Sequence, residues 1–119
     1  AAQAGHACVE AVLMALAHEE RLADVCVAGD AVALRESSKP ETPLSGWFSH
    51  GVAKICVYVD SEDALLEIDR KAKEAGIISA LICDAGMTEF HGEPTYTCLA
   101  LEPRFPEDVD PITGDLPLF

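Results

Sequence analysis

Positive charge is scarce in this chain. Eight Lys and Arg stand against 21 Asp and Glu across 119 residues, a net charge of −13. The shortage is general. Residues 1–52 hold 3 basic and 7 acidic side chains (−4), and residues 53–119 hold 5 and 14 (−9). The basic footprint with which nucleic-acid binders usually grip phosphates is missing. A nucleic-acid substrate would have to be held despite this charge. Long apolar runs are missing too: none reaches the ~20 residues of a membrane span. The longest near the start, Ala11 to Ala17, follows no basic stretch and is closed by Glu19 and Glu20, so it does not read as a signal peptide. A soluble, intracellular protein is expected. There is no C-x-x-C, H-E-x-x-H, P-loop, G-x-G-x-x-G or G-x-S-x-G, so neither a metal nor a nucleotide site has a motif behind it.

What is present is enough for a core. Half the residues are hydrophobic, and a chain of this length buries about 65% of its unfolded surface on folding. One domain, residues 1–119, is expected. The five cysteines are odd in number. Cys56, Cys83 and Cys98 sit in apolar segments, where free Cys behaves as a small buried hydrophobe. Unpaired, metal-free thiols in a reducing compartment are expected.

Val9, Val12, Leu13 and Leu16 recur at helical spacing among many Ala, predicting a helix over residues 2–19. Residues 20–38 stay open: a helix over Glu20–Ala28 and a short element over Asp30–Arg35 fit the pattern. Residues 36–46 have loop composition. Val52 to Val59 is rich in β-branched residues and predicts a strand. Asp60 or Ser61 caps a helix over Ser61–Ala75, with Glu62 and Asp63 in its first turn, Arg70, Lys71 and Lys73 towards its end, and Gly76 as its stop. Ile77–Cys83 predicts a second strand, parallel to the first in a βαβ unit. Residues 84–95 read as a loop and Tyr96–Leu101 as a third strand. The Pro-broken tail holds one helical turn near Glu107–Val109. The predicted class is α/β: a three-layer domain with a small mixed sheet and helices on both faces. The first helix begins with no strand to feed it, which predicts a strand upstream.

The loop after Ile77–Cys83 collects the groups suited to chemistry. Asp84 stands where open α/β sheets put their ligands, Thr88 lies four residues on, and Thr97 returns on the next strand. A carboxylate there can deprotonate a water and a hydroxyl can donate to an oxyanion. By spacing alone, an Asp after a strand is more often a turn-former and a Thr in a strand more often a plain β-former. His6 follows Gln3 by three residues in the first helix, where a His is more often a packed or solvated helix residue.

Several segments, in order, resemble the type II peptidyl-tRNA hydrolases. Ala1-Ala2-Gln3-Ala4-Gly5-His6-Ala7 is similar to the family's A-A-Q-x-x-H-A helix opening. Trp47 through Gly51 to Lys54 resembles W-x-x-x-G-x-x-K, Asp84-Ala85-Gly86-Met87-Thr88 resembles D-A-G-x-T, and Thr97 to Leu101 resembles T-x-L-x-[IL]. The tail Ile112-Thr113-Gly114-Asp115-Leu116-Pro117-Leu118 resembles V-T-G-x-L-x-L. The resemblance implies hydrolysis of the ester between a peptide and the 3′ ribose of tRNA. Asp84, Thr88 and Thr97 would be catalytic, and Gln3, His6, Lys54 and Gly86 would contact substrate. It further implies no cofactor, peptidyl-tRNA as partner, a homodimer, and a place in the cytoplasm. Three departures stand out. The family opens with a strand and a G-K-x-A-A-Q motif whose Lys is taken to be catalytic, and this chain starts at the A-A-Q. Met87 replaces the loop's usual Arg, and residues 28–45 are longer and more acidic than usual. A non-catalytic relative serving as a binding or scaffold domain, and a hydrolase of smaller esters, are the rival readings.

Overall fold

A computed structural model describes residues 2–84 and 95–119 of the chain. Helix α1 spans Ala2–His18. Ala7, Ala11 and Ala15 line its buried side at every fourth position, so the helix lies close on its support. It ends in a Schellman motif: Arg21 N–H donates to the Leu16 carbonyl (2.8 Å) and Glu20 N–H to Ala17 (3.1 Å). Glu20 takes the left-handed position, φ +57°, where glycine is the usual occupant.

Residues 20–38 resolve into a 3₁₀ turn at Leu22–Asp24 and a hairpin of β1 (Val25–Ala28) and β2 (Ala31–Leu34). The open helix reading of Glu20–Ala28 is thus corrected. Gly29, at φ +65°, and Asp30 make the two-residue turn. Gly at the first central position is the type II′ pattern that suits the twist of paired strands. Helix α2 (Pro43–Ser49) shortens the expected loop of residues 36–46. Thr42 and Ser45 form a reciprocal capping box, and Pro43 sits at the first helical position, where its missing N–H costs nothing. Leu44, 1% exposed, joins Ala15 and Leu16 in the core, with Val12, Val25, Leu34, Phe48 and Ile78 packed around them. A polar tie backs this contact. Buried Arg21 donates to Glu19 Oε1 and to the Pro40 carbonyl, both at 2.7 Å, and Thr42 Oγ1 donates to the same Glu19 oxygen at 2.8 Å.

The strand expected over Val52–Val59 does not form. Val52 sits at φ +51°, a left-handed conformation no strand contains and one costly for a β-branched side chain. Ile55 is 82% exposed. The segment pairs only at Val57, in a bridge to Leu118, flanked by bonds from Tyr58 N–H to Pro117 and from Phe119 N–H to Cys56. β-propensity without a neighbouring edge to pair with yields extended chain and no ladder.

Helix α3 (Glu62–Glu74) is as expected, with Ser61 Oγ accepting from Ala64 N–H and Gly76 (φ +74°) closing a second Schellman motif. It leads into β3 (Ser79–Asp84), which pairs antiparallel with β4 (Thr95–Leu101). The α/β class holds. Among the described residues, however, both sheets are two-stranded and antiparallel, so the parallel βαβ pair and the mixed sheet are corrected. Helices α1 and α3 each pack on β3 and β4 without extensive contact with one another, as layers on opposite faces do. Glu102, buried after β4, accepts from Ile78 N–H at 2.7 Å and ties the start of β3. Helix α4 (Pro106–Thr113) packs on α3 and extends the single turn expected there, with Pro111 inside it. Among the described helices none is long and apolar enough to cross a membrane.

Candidate active site

The β3–β4 ladder carries an irregularity at the end where Asp84 and Thr97 stand. Ile82 faces Cys98, but Cys83 faces Tyr96. Thr97 is the extra residue, a β-bulge, which re-aims side chains and often borders active sites. Thr97 is exposed, and its hydroxyl lowers the pKa of the neighbouring Cys98 thiol against the effect of burial. The Tyr96 N–H beside the bulge donates to Glu62 Oε2 at 2.9 Å, so the first turn of α3 braces it. Asp84 closes β3 with its backbone opposite Thr95, two residues from Thr97. Gly86, Met87 and Thr88 lie outside the described residues.

Two observations orient α1 over this sheet. Burial pushes the Cys98 thiol above its ordinary value; the Thr97 hydroxyl draws it partly back, and the neighbouring thiols Cys8 and Cys56 add to the rise. Cys8 on α1 is thus near Cys98. At the other end, Ile78 packs against the cluster that Ala15 and Leu16 form with Leu44. The start of α1, with half-buried Gln3 and exposed His6, therefore shares the sheet end of Asp84 and Thr97. So does the start of α3, through Glu62. The first turn of α1 holds no acidic residue, so its positive dipole end is uncompensated.

Lys54 lies elsewhere. Its Nζ donates to the Val52 carbonyl (2.7 Å) and stands 5.8 Å from the Trp47 ring centroid. Trp47 borders Pro103, Arg104 and Phe105, beyond the far end of β4. The fold thus gathers Gln3, His6, Asp84 and Thr97 at one sheet end and sets Lys54 at the other. Cys8, Cys26, Cys56 and Cys98 are free thiols, and Cys56 and Cys83 are exposed, which corrects the burial expected of those two. Cys56 is exposed because its strand does not form. Among the described residues no three His, Cys, Asp or Glu group as metal ligands.

Neither the bulge nor the Glu62 brace was visible beforehand. Glu62 reads as an ordinary first-turn acid, and no local signal marks a one-residue register shift.

A strand-end Asp, a bulge Thr and a helix start without acidic residues are residue types suited to hydrolysis of an ester. The comparisons narrow this. The family model "Peptidyl-tRNA hydrolase PTH2" matches residues 1–119. A protein of Methanopyrus kandleri named peptidyl-tRNA hydrolase is 42% identical over 77 residues, covering 64% of this chain and 65% of its own length. One of Methanothermobacter thermautotrophicus with that name is 46% identical over 78 residues, 66% of this chain and 69% of its own length. One of Pyrobaculum aerophilum, also so named, is 37% identical across 100% of this chain and 82% of its own length. The chain belongs to the peptidyl-tRNA hydrolase PTH2 family. Its matches to the first two relatives span about two thirds of their length.

Proposed function

We propose that this chain hydrolyses the ester joining a peptide to the 3′ ribose of tRNA. The observation that carries the proposal is the Thr97 bulge beside the Asp84 end of β3, with Gln3 and His6 brought to the same end by α1. In this reading the Asp84 carboxylate takes a proton from water as the water oxygen attacks the ester carbonyl carbon. Negative charge gathers on the carbonyl oxygen, where the Thr97 and Thr88 hydroxyls donate. The carbon–oxygen bond to the ribose breaks, and the departing 3′ oxygen takes up the proton. The products are a peptide carboxylate and free tRNA. Gln3 and His6 line the cleft, and Gly86 lets the loop backbone approach the substrate. The positive end of α1 favours the developing charge. No organic cofactor or metal enters these steps. Lys54, at the far sheet end, contacts tRNA away from the ester.

The homodimer and the cytoplasmic location belong to the same reading. Val9, Leu13 and Met14 leave an exposed apolar strip on α1, the kind of surface a second subunit covers.

The test compares intact peptidyl-tRNA with an N-acyl-aminoacyl-adenosine, which carries the same ester without the RNA. A kcat/KM well above that of the small ester supports the proposal. Equal values would move the assignment to a hydrolase of smaller esters, and turnover of neither would leave the binding-domain reading.

A further inference from the structure

Beyond the far end of β4, a groove of about 470 Å³ opens between α2 and the start of α4. That volume is within the range of small-molecule sites. Trp47 and Phe105 border it together with His50, Glu41 and Arg104.

The Trp47 ring is held in place. Its Nε1–H donates to the Ala53 carbonyl at 2.7 Å, and Phe48 packs edge-on against it, 5.2 Å between centroids and 82° between planes. A fixed, half-buried indole face loses little entropy when something stacks on it. Phe105, 54% exposed, is an aromatic side chain left in solvent at the groove margin. His50 Nδ1 donates to the Gly46 carbonyl at 2.7 Å, leaving Nε2 as the ring's acceptor. The Glu41 carboxylate lies over Gly46 and offers a further acceptor.

Charge is the second observation. Of the eight Lys and Arg, Arg21, Lys39, Arg70, Lys73 and Arg104 each have a carboxylate within ion-pair distance. Among the described residues Arg35, Lys54 and Lys71 have none, and of these three it is Lys54 whose ammonium stands over the indole bordering the groove. In a chain of net charge −13, an uncompensated cation beside a fixed aromatic face is a specific combination. Aromatic faces stack bases, acceptors take ribose hydroxyls and base amines, and a cation takes the phosphate.

We infer that this groove is a nucleotide-binding subsite for single-stranded RNA: a base stacks on Trp47 with Phe105 as the second wall, and Lys54 holds the adjoining phosphate. The inference deepens the proposed function and rests on it for the choice of RNA as the polymer. The groove lies up to roughly 20 Å from Thr97 along β4, so it takes a nucleotide remote from the ester.

Trp47 is the chain's single Trp, so its fluorescence reports on this groove alone. The experiment titrates the protein with a short unstructured oligoribonucleotide at several salt concentrations. Saturable quenching is expected. Phe105→Ala weakens binding roughly 5- to 100-fold, the usual effect of losing one stacking partner, while Phe105→Trp retains it. Lys54→Gln weakens binding and lowers the slope of log affinity against log salt by about 0.7, the value for one single-strand phosphate. Absence of quenching, a Phe105→Ala protein that binds as wild type, or an unaltered salt slope in Lys54→Gln overturns the inference. Hydrolysis of peptidyl-tRNA without quenching removes the groove and keeps the proposed function; quenching without hydrolysis does the reverse.

Discussion

Replacing Thr97 by Val removes one hydroxyl and keeps the side chain's shape. Thr97 is exposed, and its hydroxyl acts on the neighbouring Cys98 thiol. Surface substitutions of this kind stay within about 0.5 kcal/mol, which for a domain of this size is a melting shift of no more than about 3 °C. The catalytic effect is expected to be far larger. Loss of one donor to a developing oxyanion costs about 2.7–4 kcal/mol, or roughly 10²–10³ in rate. Thr97→Ser, which keeps the hydroxyl, retains most of the activity. Cys98 supplies an internal control. The Thr97 hydroxyl holds its thiol down against burial, so Thr97→Val moves Cys98 ionisation to still higher pH, read as the pH dependence of its alkylation rate. Single-turnover release of labelled peptide measures the chemistry. A Thr97→Val protein within about threefold of wild-type rate, with the expected Cys98 shift, would refute the catalytic role of the bulge hydroxyl.

Two further predictions concern the scaffold. Glu20 occupies the left-handed position closing α1 at φ +57°, so Glu20→Gly, which relieves that strain while keeping the backbone bonds, stabilises the domain by about 0.5–1 kcal/mol in chemical denaturation; a loss of stability would show that the Glu side chain matters more than its backbone. Burial raises the folded-state ionisation of Cys98, so its contribution to stability is complete below the unfolded thiol value of about 8.5 and is lost as pH rises above it. The wild-type melting temperature should therefore fall more steeply in alkali than that of Cys98→Ala, and parallel curves would contradict this.

Elements governed by local chemistry were legible in the sequence. Helix α3 follows from Ser61, its first-turn acids, its last-turn lysines and Gly76, all within one contiguous stretch. The hairpin and α2 also carried signals, Gly29-Asp30 and Thr42-Pro43-Leu44-Ser45, set within a charged stretch whose periodicity was mixed. What depends on distant partners was not legible. β3 and β4 were each recognised, but a strand's direction relative to its neighbour is a tertiary property, and β3 pairs with the strand that follows it. Residues 52–59 have the composition of a strand and, among the described residues, pair only through Val57 with Leu118. For the candidate site, residue type and loop position pointed to Asp84 and Thr97, whereas the bulge that presents Thr97 and the helix direction that brings Gln3 and His6 alongside come from packing.

The central claim is that this chain cleaves peptidyl-tRNA through Asp84. The most direct measurement is single-turnover release of labelled peptide from peptidyl-tRNA by the wild-type and Asp84→Asn proteins, with thermal melts of both. The Asn side chain preserves size and hydrogen bonding but takes a proton from water far less readily. The account predicts rapid release by wild type and a loss of roughly 10²–10⁴ in Asp84→Asn, with melting temperatures within a few degrees of each other. Equal release by the two proteins would contradict it.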